Sequence, residues 1–365
     1  MKRKMLLAGL AVMITVAAGA DTRVRKCVAN GPMYPEKMDD VVKALNRFYG
    51  NVTYSPPNQK LIACVVPHSA WGFCGQIDAA GLKELEMGQY ERVIVLAPSH
   101  QLGFEGLSIP AVEAFTIPLG LIPLDGKAIG TLNYSALITL RGVSYTNKRR
   151  PPLHETETSV ENVLPFLLER MGPFFLVPIL TGDLKDLDGH LSATRIEAVA
   201  ETLKGIIDDK TLIVVSTDFT HFGNDFSFRP FNENASANIE KLDREAFRLV
   251  LARDFDGFIK YLEKTNNPIC GQVGLLILMK LLPENAQGQL IDYVQSMTKT
   301  KDENRSVSYA AINFYDPKKA PLPAQKHIAP AGSDITGVTT FPEPATPAAP
   351  SVEAKPLDAQ PTPGK

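Results

Sequence analysis

The sequence predicts a single α/β domain in which helices flank a mixed, mostly parallel central sheet. Short apolar runs bounded by turn residues alternate with longer amphipathic stretches, which is the pattern of βαβ units. The 365 residues have 44% hydrophobic and 21% charged side chains, a composition typical of a globular protein with a substantial core. No internal repeat or linker divides the central part of the chain, which favours one domain over several.

The predicted elements follow one another from residue 61 to residue 314. Apolar, β-branched runs predict buried strands at 61–66, 93–97, 174–180 and 211–216, and closing strands at 289–295 and 306–314. Apolar residues at helical spacing predict helices at 73–87, 159–170, 193–207, 233–251, 255–264 and 271–282. Glycine and proline punctuate residues 98–123, which predicts loops and short strands there.

Both ends of the chain are predicted to lie outside this domain, which is assigned to residues 21–316. Residues 1–20 combine a basic start, an apolar run and a small-x-small cleavage site, the pattern of a secretory signal peptide. An uncleaved anchor is the alternative, but the run is shorter than the roughly 20 residues that a spanning helix needs. Residues 317–365 are rich in proline and alanine, which predicts a disordered tail, either a spacer or a docking segment. We therefore expect an exported protein, periplasmic or secreted, with no stable membrane insertion after cleavage.

Charge and missing motifs exclude several classes of function. The 38 basic and 40 acidic side chains give a net charge of −2, so there is no basic surplus to hold nucleic acid. The sequence has no GxGxxG, GxxxxGK[ST] or GxSxG motif, which argues against dinucleotide enzymes, P-loop proteins and ordinary α/β-hydrolases. His154 and Glu155 begin an HExxH zinc-protease pattern, but Thr158 stands at its closing position. The four cysteines include no CxxC pair, and a Cys64–Cys74 disulfide is disfavoured because a strand residue and a helix residue would have to approach closely.

Three histidines follow the carboxyl ends of predicted strands. They are His68 in Val-Pro-His, His100 in Ala-Pro-Ser-His and His221 in Thr-Asp-Phe-Thr-His. In open α/β sheets, ligands bind at this edge because loops from adjacent strands converge there. One such histidine alone is more often a hydrogen-bonded loop residue, but three together predict a shared site.

A cysteine and an aspartate complete the predicted site. Cys270 lies immediately before a predicted helix, where helix-end amides favour the thiolate, although most lone cysteines are simply buried apolar residues. Imidazoles with one thiolate suit zinc, iron or copper better than magnesium or calcium. Asp218 would orient a histidine or act as a general base, and the alternative is a turn-capping aspartate.

The chain contains seven motifs in this order: PHSAWGFCG (67–75), LAPSH (96–100), ETSVENVLPF (157–166), VPILTGDL (177–184), VVSTDFTHFG (214–223), PICG (268–271) and RSVSYAAINF (305–314). The Memo family, also called AmmeMemoRadiSam system protein B, has such motifs in the same order, and the sequence resembles that family over about residues 27–316. The segment Gly-Pro-Met-Tyr-Pro at 31–35 is also similar to the family's amino-terminal Gly-x-aromatic-Tyr-Pro.

The resemblance implies a fold like that of class III extradiol dioxygenases. It also implies a metal pocket formed by His68, His100, His221 and Cys270, with Asp218 nearby, for which iron or copper binding and redox activity have been proposed. This chain departs from the family where most members have Glu-His-Ser, because it has Thr158 in the histidine's place. His154 lies four residues earlier and could partly replace that histidine, but it is expected to be a loop histidine in a proline-rich turn. Glu161 is expected to line the pocket.

The leading hypothesis is therefore an exported metalloprotein that binds one transition-metal ion, iron or copper before zinc, for redox chemistry. His68, His100, His221 and Cys270 are the expected ligands, and Asp218 and His221 the expected catalytic residues. If it is an enzyme, it is a non-haem, metal-dependent oxidoreductase. Two alternatives stay open: a non-catalytic module that binds a small molecule or peptide, and a zinc-dependent hydrolase that uses Asp218 as base.

Overall fold

The computed structural model describes residues 23–132, 135, 137–141 and 153–324. The predicted signal peptide and the part of the predicted tail from residue 325 onward lie outside the described residues. Residues 317–324 are described and contact the domain, since Leu322 packs against the core and its carbonyl accepts a hydrogen bond from Gln89 Nε2 at 2.8 Å. Those eight residues therefore contribute contacts that the sequence did not predict.

Twelve strands and ten α-helices are present in the described part of the chain. The strands are β1 Val24–Arg25, β2 Lys60–Val66, β3 Arg92–Pro98, β4 Leu107–Pro110, β5 Ala114–Ile117, β6 Gly120–Pro123, β7 Ile138–Arg141, β8 Phe175–Thr181, β9 Thr211–Ser216, β10 His221–Phe222, β11 Gln287–Gln295 and β12 Ser306–Asp316. The helices are α1 Met38–Gly50, α2 Trp71–Leu82, α3 Gly126–Leu132, α4 Leu153–Thr156, α5 Leu164–Met171, α6 Ala193–Lys204, α7 Ala235–Ala252, α8 Phe255–Thr265, α9 Gln272–Leu281 and α10 Met297–Thr300.

Nine strands form one mixed sheet in the order β10-β12-β2-β9-β3-β8-β4-β7, with β11 paired to β12. The four central strands β2, β9, β3 and β8 run parallel, while β12, β11 and β10 join antiparallel at one side and β4 joins antiparallel at the other. Strands β1, β5 and β6 form a separate small sheet. The predicted mixed α/β fold is confirmed, with parallel pairing among the four central strands and between β4 and β7 at one edge.

Helices cover both faces of this sheet. Helix α2 packs on β2 and β12, with Gly81 against Val66, whereas α9 packs on β9 and β3, with Gly274 against Val215. Val66 pairs in register with Ser216, the residue after Val215, and side chains alternate along a strand, so α2 and α9 lie on opposite faces. Burial on both faces explains why the central strands are almost continuously apolar.

None of the described helices is long and apolar enough to cross a membrane.

The predicted elements are present, with two differences of detail. The helix predicted at 73–87 spans Trp71–Leu82, and the one predicted at 159–170 begins as a 3₁₀ turn at Glu161–Val163 before α5. Helix α1, an amphipathic helix that packs on α2 and α5, was not among the predicted elements. Cys64 and Cys74 are both free, in agreement with the disfavoured disulfide.

Candidate metal centre

Three sequence-predicted residues come together at one edge of the sheet. The potential ligand atoms of His68, His100 and Cys270 all lie within 4.8 Å of one another, and His68 Nε2 is 3.3 Å from Cys270 Sγ. The two imidazole rings meet edge to face with centroids 5.0 Å apart. Bond lengths of 2.0–2.3 Å to a tetrahedral or trigonal ion place its ligand atoms roughly 3.3–4.0 Å apart, so the cluster has about the right size for one ion.

Strand register brings these residues together. Val66, at the end of β2, pairs with Ser216, at the end of β9, and β3 lies beside β9 in parallel register. His68 and His100 each follow the last residue of their strand by two positions, so both emerge at the same edge. The structure therefore places both histidines at the carboxyl ends of the parallel strands, as the sequence predicted.

Cys270 approaches from the segment before α9, and a glycine permits its position. The Gly271 amide donates a 2.8 Å hydrogen bond to Thr217 Oγ1, and a Cβ at Gly271 would lie 2.4 Å from Thr217 Cβ. No other residue fits there without displacing the end of β9. Cys270 Sγ also accepts a hydrogen bond from the Asp218 amide at 3.2 Å, which fixes the sulfur beside His68.

Hydrogen bonding selects the metal-binding tautomer of His68. The Ser216 hydroxyl donates its single hydrogen to the Ser159 carbonyl at 2.7 Å, so its oxygen is available as an acceptor for His68 Nδ1 at 2.9 Å. Nδ1 therefore carries a hydrogen, and Nε2, 3.3 Å from Cys270 Sγ, is the nitrogen that gives up its own hydrogen when an ion binds. A ligating histidine is commonly oriented through its second nitrogen in this way.

Glu157 orients His100 by the same principle, with a carboxylate as the acceptor. Its Oε1 lies 3.0 Å from His100 Nδ1, and its Oε2 accepts the His100 amide at 2.5 Å. Burial alone would raise the pKa of Glu157, but the hydrogen bond and charge of His100 outweigh burial and lower that pKa to about 2. An ionised carboxylate only accepts hydrogen bonds, so His100 keeps its hydrogen on Nδ1 and leaves Nε2 for an ion. The side chain of His100 is 41% exposed, which makes it the solvent-facing member of the cluster.

The cluster also favours the thiolate of Cys270. Burial alone would raise the pKa of Cys270, but the charge of His68 and hydrogen bonds from both imidazoles outweigh burial and lower it from 9.0 to about 5. Burial lowers the pKa of His68, yet the neighbouring thiolate and Asp218 raise it overall to about 8. The thiolate is the form of cysteine that binds metals, so two imidazoles and one thiolate form a donor set that fits a transition-metal ion.

Asp218 is buried beside the cluster and holds the His68 loop. Its Oδ1 accepts the His68 amide at 3.0 Å, and its Oδ2 accepts the Ser69 hydroxyl at 2.5 Å. Both carboxylate oxygens thus bind loop groups, and the aspartate amide supports Cys270. These contacts give Asp218 a positioning role, and its function as a general base stays a prediction.

His221 lies near the Cys270 segment but outside the group of three potential ligands. Its Nδ1 donates to the carbonyls of Phe219 at 2.8 Å and Pro268 at 3.0 Å, and its ring meets Phe226 edge to face at 5.0 Å. The ring therefore joins the end of β9 to the segment that carries Cys270. Its predicted roles as ligand and catalytic residue stay predictions.

Three further residues occupy places that the sequence did not reveal. Glu157 belongs to the Glu-x-Ser motif, which was the only sequence signal for its contact with His100. Glu161 makes no described hydrogen bond to the cluster. It is fully buried and forms an ion pair with Arg25. His154 was expected in a loop but is buried in α4, with its Nε2 3.0 Å from Ser108 Oγ of β4, and it lies outside the group of three potential ligands.

Fold and site together define a mixed α/β protein with a His-His-Cys centre that could hold one metal ion. The model of the family described as "Memo-like protein" matches residues 25–313, and the chain belongs to that family. It is 28% identical over 306 residues to Protein memo-1 homolog of Caenorhabditis elegans, which covers 80% of this chain and 83% of the relative. It is 26% identical over 263 residues to Protein MEMO1 of Homo sapiens, covering 68% and 84% of the two chains. An uncharacterized protein of Escherichia coli K12, with a solved structure, aligns at a TM-score of 0.42 and 11% identity, covering 70% of this chain and 99% of that one.

Proposed function

We propose that this protein holds one iron or copper ion through His68, His100 and Cys270 and uses it for redox chemistry on a small molecule. The observation that carries the proposal is the convergence of two imidazole Nε2 atoms and a thiolate, with both Nδ1 atoms engaged by Ser216 and Glu157. Two imidazoles with one thiolate are the donors of redox-active copper sites, and thiolate ligands also suit iron.

When bound, such an ion would supply one-electron transfer between a small-molecule reductant and dioxygen. The chain's own residues would hold the ion and fix both imidazole rings, and Asp218 would keep the His68 loop in place. His100 is the exposed member of the cluster, so reactants would approach from its side.

Export forms the second part of the proposal. Its support is the sequence pattern of residues 1–20, with Asp21 as the expected first residue of the mature protein. Mass spectrometry of the protein recovered from outside the cytoplasm tests it directly. A retained Met1 would contradict cleavage and restore the anchor interpretation.

Metal analysis of the purified full chain tests the binding step. We expect about one iron or copper ion per chain and loss of most of it in His68→Ala and in His100→Ala, because each removes one of three ligands. Wild-type metal content in both variants would refute the site. A stable zinc content with neither iron nor copper would instead support the hydrolase alternative.

Cys270→Ser tests the redox step, with Cys64→Ser as the matched control because Cys64 is buried in β2, in the middle of the sheet. Cys270→Ser should change the optical spectrum of the bound ion and reduce metal-dependent oxygen uptake with a reductant. Cys64→Ser should change neither, although it is expected to lower stability. Free metal ions and the His68→Ala variant serve as controls for oxygen uptake. If the wild-type protein takes up oxygen no faster than these controls, redox function is refuted and the binding-module alternative is favoured.

A further inference from the structure

A cleft between α7 and α8 has the size and lining of a binding site for a small molecule. Its volume is about 540 Å³, within the range of ligand pockets. Phe231 and Leu242 are half-buried and present apolar surface to it, while Leu249 and Tyr261 lie almost fully buried beneath. Its lining includes none of the residues of the candidate metal centre, so it is a separate feature of the domain.

The charged residues around the cleft are mainly cationic. Four cations and two carboxylates line it: Lys241, Arg248, Lys260, Lys264, Glu245 and Asp254. Both carboxylates already have partners, because Asp254 caps α8 by accepting the Gly257 amide at 2.9 Å and Glu245 pairs with Arg248 at 2.8 Å. The three lysines are exposed, and their charge is available to an anion in the cleft.

Hydrogen bonds make the apolar floor rigid. The Tyr261 hydroxyl donates to the Leu242 carbonyl of α7 at 3.1 Å and accepts from Asn267 Nδ2 at 2.8 Å. Asn267 in turn donates to Thr220, whose hydroxyl donates to the buried carboxylate of Asp243 at 2.6 Å. The two helices are thereby fixed relative to each other, so a ligand would meet a cleft that is already formed, at a low ordering cost.

We propose that this cleft binds a small organic anion, with an apolar body against Phe231 and Leu242 and its anionic group among Lys241, Lys260 and Lys264. Burial of the ligand's apolar body against the apolar lining stabilises binding, and the excess of cations around the cleft selects a negatively charged ligand. This site is independent of the metal centre and of the redox function proposed above.

The probe is anilinonaphthalene sulfonate, an anionic and apolar dye that fluoresces when it leaves water. We expect saturable binding of one dye per chain to the metal-free full chain, weakened by salt because exposed charges contribute. The double variant Lys241→Glu/Lys260→Glu should lower the affinity about tenfold or more, since each reversal replaces attraction by repulsion. Lys43→Glu/Lys127→Glu changes the net charge equally at exposed lysines of α1 and α3 and should leave the affinity unchanged.

Three outcomes would overturn the proposal. The first is equal affinity in both double variants, and the second is equally tight binding of uncharged phenylnaphthylamine, which would show that the cations do not select the ligand. The third is stronger dye binding after removal of residues 325–365, which would assign the cleft to the chain's own carboxyl-terminal segment. Melting curves of both double variants confirm that each is folded.

Discussion

Glu157→Gln is the most informative single change at the candidate metal centre. The carboxylate of Glu157 accepts four hydrogen bonds: from the His100 amide, His100 Nδ1, and the amides of Thr158 and Ser159. Glutamine keeps the shape but loses the negative charge and one acceptor oxygen. At least one buried donor is then left without its acceptor, at a cost of about 1–3 kcal/mol in the free energy of unfolding.

The effect on metal binding is expected to be larger than a general loss of stability explains. Without the carboxylate, His100 is free to rotate or to carry its hydrogen on Nε2, and a change of this kind in a residue behind a ligand typically lowers metal affinity 10–100-fold. Chelator competition on the folded protein measures this affinity, and chemical denaturation of the metal-free protein measures the stability change separately.

Glu155→Gln is the matched control, since it removes the same charge two residues away without a described contact to His100. It should leave both quantities near wild type. If the Glu157→Gln protein is folded and its metal affinity is within about twofold of the wild-type value, the argument that Glu157 fixes the His100 tautomer is refuted.

Three further predictions test other parts of the structure. His221→Ala tests whether His221 is the fourth ligand that the sequence predicts: because it lies outside the group of three potential ligands, the variant should retain most bound metal. Loss comparable to that of His68→Ala in metal analysis would instead support ligation by His221. Burial alone would raise the pKa of Glu161, but the charge of Arg25 outweighs it and lowers that pKa, so its stabilisation is complete above about pH 4.5 and lost as the pH falls below it. Glu161→Gln should thus destabilise by about 3–5 kcal/mol at neutral pH and by progressively less in acid, and a constant difference in denaturation across pH would contradict the pairing. Removal of residues 325–365 should leave the melting temperature unchanged, whereas removal of residues 317–365 should lower it by a few degrees in calorimetry; equal values would show that residues 317–324 contribute nothing.

The sequence predicted the fold and three residues of the centre because both follow from local patterns. Buried parallel strands give apolar runs, and their carboxyl ends must meet at one edge, which places His68 and His100 together. The position of His221 was not predictable in this way. Its ring direction depends on two carbonyls, one of them from Pro268, 47 residues away.

The residues that orient the imidazoles were missed for a related reason. Ser216 is the last residue of an apolar strand and looks like ordinary strand sequence, so its hydroxyl gives no pattern. Glu157 contacts His100 across 57 residues, between two loops whose mutual placement only the folded sheet determines. Long-range contacts of this kind leave no periodicity in the sequence.

Thr158 stands where the resemblance places a histidine in most family members, and this difference is expected to affect proton transfer more than metal binding. The groups that orient the ligands are the Glu157 carboxylate and the main chain of Ser159, whose carbonyl accepts the Ser216 hydroxyl. The contacts described for Thr158 are likewise made by its main chain, since its amide donates to Glu157 at 2.9 Å and its carbonyl accepts the Asn162 amide at 3.0 Å. A threonine hydroxyl does not ionise near neutral pH, whereas an imidazole gains and loses a proton there. A threonine at this position is therefore expected to preserve the arrangement that could hold a metal ion, while it lacks an imidazole that could move a proton beside that ion.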